Sequence, residues 1–119
     1  MKDNNLIVEK SKAFALRIVK MYKFLSEDKK AFILLQQVLK SGTSIGANVK
    51  EAIRAQSKAD FIAKMNIALK EASETEYWLE ILCESEYITK EAFESIYCDC
   101  RELIKILTAI IKTGKENNS

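Results

Sequence analysis

Ser41, Ser44, Asn48 and Glu51 bring two hydroxyls, an amide and a carboxylate into one short stretch, and Glu76 adds a second carboxylate further along the chain. Groups of these types can build a polar pocket or a subunit contact. They can equally form a hydrogen-bond network that ties the helix carrying them to the next one. Buried polar groups are normally satisfied by local partners, which favours the network. On that reading Asn48→Ala costs about 1–3 kcal/mol of stability. Catalysis has little to draw on. The chain has no histidine, so it lacks the usual general base, the commonest metal ligand and the Glu-x-x-His pairs of di-iron bundles. Carboxylates are plentiful, but most fall on solvated helix faces and no convergent pair stands out. Cys98 and Cys100 have no second pair at zinc-binding spacing, and Cys100 falls on an apolar seam, where cysteine acts as a small core residue. The expectation is a non-enzymatic protein with no metal and no cofactor.

Basic residues supply the other chemistry. The net charge is only +2, yet residues 9–25 hold five basic and one acidic residue, residues 29–59 hold six and one, and residues 60–86 hold two and seven. Lys40, Lys50, Arg54 and Lys58, with Lys10, Arg17, Lys20 and Lys23, could contact phosphates of RNA or DNA in a sequence-independent and steeply salt-sensitive way. No aromatic residues interleave with them, so stacking on single-stranded bases is not expected. Two further readings stay open. Unlike helices can neutralise each other inside one bundle, or the basic face can dock on the acidic third helix of a neighbouring subunit, leaving a scaffold that recruits another protein.

The elements that must position these groups are helices. The chain has 119 residues, no proline and three glycines, with 48% apolar and 30% charged residues, which fits one all-α domain spanning residues 1–119. Ile7, Ser11, Phe14, Ile18, Met21 and Leu25 form a seam at alternating spacings of three and four, predicting a first helix over residues 6–25. Ser26-Glu27-Asp28 offers capping oxygens for a second helix over 29–56, seamed by Leu35, Val38, Gly42, Ile45, Val49 and Ala52. The apolar register therefore runs straight through Gly42 and Gly46. A helical glycine costs roughly 1 kcal/mol relative to alanine, so the pair implies close approach of another helix. Ala68 and Ala72, on the seam of a third helix over 58–85 capped by Ser57, are the expected partners. Glu76 sits on a flank made of Ile62, Leu69 and Cys83 and needs a partner if it is buried. A fourth helix over 90–113 is capped by Thr89, carries Phe93, Ile96, Cys100, Leu103, Leu107 and Ile110, and should end in a left-handed cap at Gly114. Short connections then give an antiparallel up-down-up-down four-helix bundle.

Leu16, Val19, Phe24, Ile33, Ile67, Trp78, Ile81 and Ile106 fall off the four seams, more than a monomer is expected to expose, so a homo-oligomer is predicted. No signal-like run and no apolar segment of roughly 20 residues is present. The odd number of cysteines argues against a disulfide framework, and a cytoplasmic location with no membrane partner is the expectation.

Ser44-Ile45-Gly46-Ala47-Asn48-Val49-Lys50-Glu51-Ala52 resembles the Ser-Ile-x-x-Asn-Ile-x-Glu-Gly motif of the bacterial four helix bundle protein family, whose founding members are encoded by intervening sequences inside 23S rRNA genes. Ser57-Lys58-Ala59-Asp60-Phe61 and Ala68-Leu69-Lys70-Glu71-Ala72-Ser73-Glu74-Thr75-Glu76-Tyr77-Trp78-Leu79 look like that family's third helix, so the similarity covers nearly the whole chain. The resemblance implies a left-turning four-helix protomer assembled as a homopentameric ring. It also implies kinship with accessory proteins of diversity-generating retroelements, which are strongly basic and bind nucleic acid and a reverse transcriptase. This chain departs from those relatives in its modest net charge and in Ala52, which stands where the family often has glycine.

Overall fold

The computed structural model describes residues 2–116. Four helices make up the fold, α1 (Lys2–Leu25), α2 (Phe32–Ile53), α3 (Lys58–Glu84) and α4 (Lys90–Glu116), and the described residues include no strand. Each helix packs against its neighbours in sequence, and α1 also packs on α4. The result is a rod of 48 × 22 × 19 Å around a single core.

Periodicity sets that core. Every α2 seam residue from Leu35 to Ala52 is buried, as are Ile7, Ser11, Phe14 and Ile18 of α1, Met65 to Leu82 along the α3 seam, and Ile96 to Ile110 along that of α4. The outer members Met21, Leu25, Phe61 and Phe93 are half-buried, since the bundle tapers at its ends.

The helix ends test the capping chemistry. Ser57 Oγ accepts the Asp60 N–H at 3.0 Å and Thr89 Oγ1 accepts the Ala92 N–H at 3.1 Å, so both expected caps form. The start of α2 differs from expectation. Asp28 Oδ1 accepts the Lys30 N–H at 2.9 Å and the Asp28 carbonyl accepts the Ala31 N–H at 3.1 Å, closing a turn that delays the helix to Phe32. The N-cap is Ala31, buried in the core and without a side-chain cap. Helix α2 also stops at Ile53, short of residue 56, where the Arg54 and Ala55 N–H groups bond three residues back to Glu51 and Ala52. Helix α1 begins earlier than expected, at Lys2. Gly114 does not cap α4 either: no glycine has positive φ, and the helix continues to Glu116. Its lack of a side chain matters for packing instead, because a Cβ there would lie 3.1 Å from Ile62 Cδ1 of α3.

The α3–α4 connection closes in a Schellman motif. The Tyr87 N–H reaches the Leu82 carbonyl at 2.9 Å and the Glu86 N–H reaches the Cys83 carbonyl at 3.0 Å, with Glu86 at φ 65°. Glutamate thus occupies the left-handed position that glycine fills most easily.

The glycines of α2 make a close approach, but to a different helix from the one expected. A Cβ on Gly42 would meet Ile18 Cγ1 at 2.9 Å, and one on Gly46 would lie 3.4 Å from the Ser11 carbonyl oxygen, so both glycines face α1. Ala72 instead admits α4, its carbonyl accepting the Cys100 thiol at 3.3 Å. A heptad pattern tells which residues point inward but not which neighbour lies on which side.

Candidate nucleic-acid and assembly surface

The polar residues singled out in α2 divide between the interior and the surface. Ser41 is buried, and the Thr75 hydroxyl of α3 hydrogen-bonds both Ser41 Oγ at 2.9 Å and the Glu71 carbonyl at 2.7 Å. Ser44 and Asn48, both half-buried, turn back on their own helix: Ser44 Oγ donates to the Lys40 carbonyl at 2.6 Å and Asn48 Nδ2 donates to the Ser44 carbonyl at 2.8 Å. Glu51 is exposed and pairs with Lys64 of α3 at 3.3 Å. The expected network joining Ser41, Ser44, Asn48 and Glu51 therefore does not form as one unit. Ser41 and Glu51 reach α3, at Thr75 and Lys64, while Ser44 and Asn48, which lie between them around the helix, bond back to their own backbone. Gly42, Ile45 and Gly46 are packing residues, Ile45 being fully buried.

Glu76 is half-buried beside α4, with one carboxylate oxygen 4.0 Å from Arg101 Nε. Arg101 also lies over the Tyr97 ring, 5.7 Å from its centroid, and the Tyr97 hydroxyl donates to Glu80 at 2.8 Å. Burial first, and the Glu80 hydrogen bond second, hold the Tyr97 phenol above its ordinary range. Burial, reinforced by the nearby Glu76 charge, pushes the Cys100 thiol up to about 12. The thiol therefore stays protonated and inert at neutral pH. Among the described residues no group of three or more histidine, cysteine or acidic side chains gathers in a way that would hold a metal ion, and no helix is long and apolar enough to cross a membrane.

The basic residues fall into two populations. Arg17 is committed to α4, where it pairs with Asp99 at 2.7 Å and donates to the Ser95 side chain at 2.6 Å and its carbonyl at 3.3 Å. Lys10 likewise pairs with Glu102 at 2.9 Å. Lys20, Lys40, Lys50, Arg54 and Lys58 are exposed, and none makes an ion pair among the described residues. Lys40, Lys50 and Arg54 project within an arc of roughly 80° on the outer side of α2, taking 3.6 residues per turn. Lys58 follows at the first residue of α3. Sequence reasoning does not single out the acceptors Ser95, Asp99 and Glu102, which belong to a helix whose own charges balance. Nor does it give Thr75 a bonding role beyond its place on the α3 seam. A hydroxyl among buried apolar positions is the available signal.

The family model for the 23S rRNA-intervening sequence protein matches residues 3–109. The chain belongs to that family. Among solved structures, this member of the family is similar to a protein of unknown function from the S23 ribosomal protein family of Bacteroides thetaiotaomicron. The two are 58% identical, the match covers 92% of this chain and 98% of that one, and the TM-score is 0.90. No curated protein matches the chain. The matched region of this family member takes in all of α2 and α3, including Ser44–Ala52 and the exposed cations Lys40, Lys50, Arg54 and Lys58.

Proposed function

We propose that this chain is a non-enzymatic cytoplasmic accessory protein that assembles with copies of itself and binds RNA or DNA through the outer face of α2 and the α2–α3 turn. The supporting observation is the row of exposed cations Lys40, Lys50, Arg54 and Lys58, none of them neutralised by an ion pair among the described residues. Phosphate contacts from such residues carry no sequence information, and repeating the face around an oligomer raises avidity. Arg17 contributes less than the sequence suggested, since its guanidinium is held by Asp99 and Ser95; Lys20 remains available.

The assembly we propose is a homopentameric ring of antiparallel up-down-up-down protomers. The contact pairs Ser11–Gly46 and Ile18–Gly42, Ser41–Thr75 and Glu51–Lys64, and Ile62–Gly114 and Ala72–Cys100 support opposed directions, because numbers rise along one helix as they fall along the next. Leu16, Ile33, Ile67 and Tyr77 support association: each is 42–71% exposed, a large apolar display for a chain this size.

A second reading has its own support in the exposed acids of α3, Glu74 and Glu84. In it the cations of α2 dock on a neighbour's α3, and the ring is a scaffold for a protein partner such as a reverse transcriptase. Native mass measured together with gel-shift binding separates the two. On the nucleic-acid reading affinity falls steeply with salt while the oligomer persists, and Lys50→Ala lowers the logarithmic salt slope by about 0.9 for each phosphate that Lys50 neutralises in the complex. On the scaffold reading no shift appears and Arg54→Glu breaks the assembly. A monomeric mass at micromolar concentration overturns the oligomer in both.

A further inference from the structure

An apolar cavity of about 390 Å³ lies between the C-terminal half of α1 and the start of α4. That volume is within the range of small-ligand pockets, roughly 300–1,000 Å³. Met21, Leu25, Ile88 and Ile96 are among its walls, and Phe24, which also lines it, leaves 82% of its surface in water. Its charged groups are of one sign. Arg17 and Lys20 line it, no carboxylate does, and Thr89, which also lines it, caps the first turn of α4. The N-terminus of α4 adds positive potential, which Glu91 in its first turn partly offsets. Lys20 has no ion-pair partner among the described residues. The Arg17 guanidinium spends three of its N–H groups on Ser95 and Asp99, and of the five that arginine carries, about two stay available.

An open apolar cleft whose lining charges are Lys20 and the Asp99-paired Arg17 suits a molecule with a hydrocarbon body and one anionic end. We propose that this cavity binds a free medium-chain aliphatic carboxylate, with the tail between Met21, Leu25 and Ile96, the carboxylate against Lys20 and the unused N–H groups of Arg17, and the Phe24 ring covering the entrance. Lys40, Lys50, Arg54 and Lys58 take no part in lining the cavity, so only Lys20 and Arg17 are shared with the proposed nucleic-acid face.

The test is calorimetric titration of the full chain with decanoate below its micelle concentration, beside decanol, which lacks the charge, and acetate, which lacks the tail. One decanoate per chain should bind. Decanol should bind about tenfold more weakly, the size expected for loss of one charge-assisted hydrogen bond. Acetate should give no heat. Lys20→Glu should weaken decanoate by at least about tenfold for the same reason. Ala92→Phe, which fills the cavity from its α4 wall, should abolish binding; an unchanged melting curve in both variants confirms that they fold. Equal affinity of wild type and Ala92→Phe would overturn the proposal, as would equal affinity for decanoate and decanol. Binding to anionic phospholipid vesicles without binding to free decanoate, or to an acidic peptide alone, would overturn it as well.

Discussion

At the scale of single residues, backbone geometry yields two opposite expectations for glycine. Glu86 holds the left-handed position of the α3–α4 connection at φ 65°, a conformation that costs a non-glycine residue about 1–2 kcal/mol. Glu86→Gly should therefore raise stability by about 0.5–1 kcal/mol once the extra freedom of the unfolded glycine is set against that relief, read as a higher urea midpoint. The reverse change differs between the two α2 glycines. Gly42→Ala thrusts a methyl to 2.9 Å from the fully buried Ile18, and overpacking of about 1–3 kcal/mol outweighs the helix-propensity gain of roughly 1 kcal/mol. At Gly46 the nearest atom is 3.4 Å away, an ordinary contact, so Gly46→Ala should be neutral or stabilising by up to about 1 kcal/mol. Thermal melts of the pair, side by side, check the contrast.

Cys100 belongs to the same scale. Its thiol sits at about 12 in the folded chain against about 8.5 when unfolded. Between those values the native state holds the proton more often, so stability falls as pH rises through that window and is fully present below it. Cys100→Ala removes this term, and the stability gap between wild type and variant should narrow from about pH 8.5 upward. Ellman's reagent at neutral pH should label the exposed Cys98 quickly and Cys100 only on unfolding.

At the scale of helices, the Ser41–Thr75 hydrogen bond is buried across the α2–α3 seam, whereas Asn48 bonds within α2. Ser41→Ala should cost about 1 kcal/mol or somewhat more. Asn48→Ala should cost less, because alanine's better helix propensity offsets part of the missing bond. This reverses the weight that the sequence placed on Asn48, and urea titration of both variants decides it. The inward faces of all four helices were legible because burial enforces a period of 3.6, and no side chain on the α2 seam is out of place. The caps Ser57 and Thr89 were legible because a single hydroxyl decides them. The start of α2 was not, since Asp28 serves a turn as well as it would a helix cap. The neighbours of Gly42, Gly46 and Ala72 were equally hidden, because they depend on the path of the chain around the bundle. The pairing of Arg17 with Asp99 was hidden for the same reason: two charges far apart in sequence carry no shared periodic signal.

At the scale of the whole molecule, charge is distributed by helix. The α1–α4 contact holds two of the ion pairs, Lys10–Glu102 and Arg17–Asp99, and the mostly apolar cavity lies beyond Arg17 on the same side. Each pair is at least 37% exposed and worth up to about 1 kcal/mol. Arg17→Ala should accordingly leave the global melt nearly unchanged while amide exchange in the second half of α1 speeds up, a difference that hydrogen-exchange mass spectrometry resolves. The site was less legible than the fold: which cations are free follows only from the helix that each one faces.

The 48 × 22 × 19 Å outline has a hydrodynamic consequence. A particle more than twice as long as it is wide tumbles anisotropically, and its copies can associate along their flanks or at their tips. Flank-to-flank association thickens the cross-section, whereas tip-to-tip association extends the maximum dimension. Small-angle scattering therefore reads the geometry of any assembly directly, with the single chain's own length as the ruler.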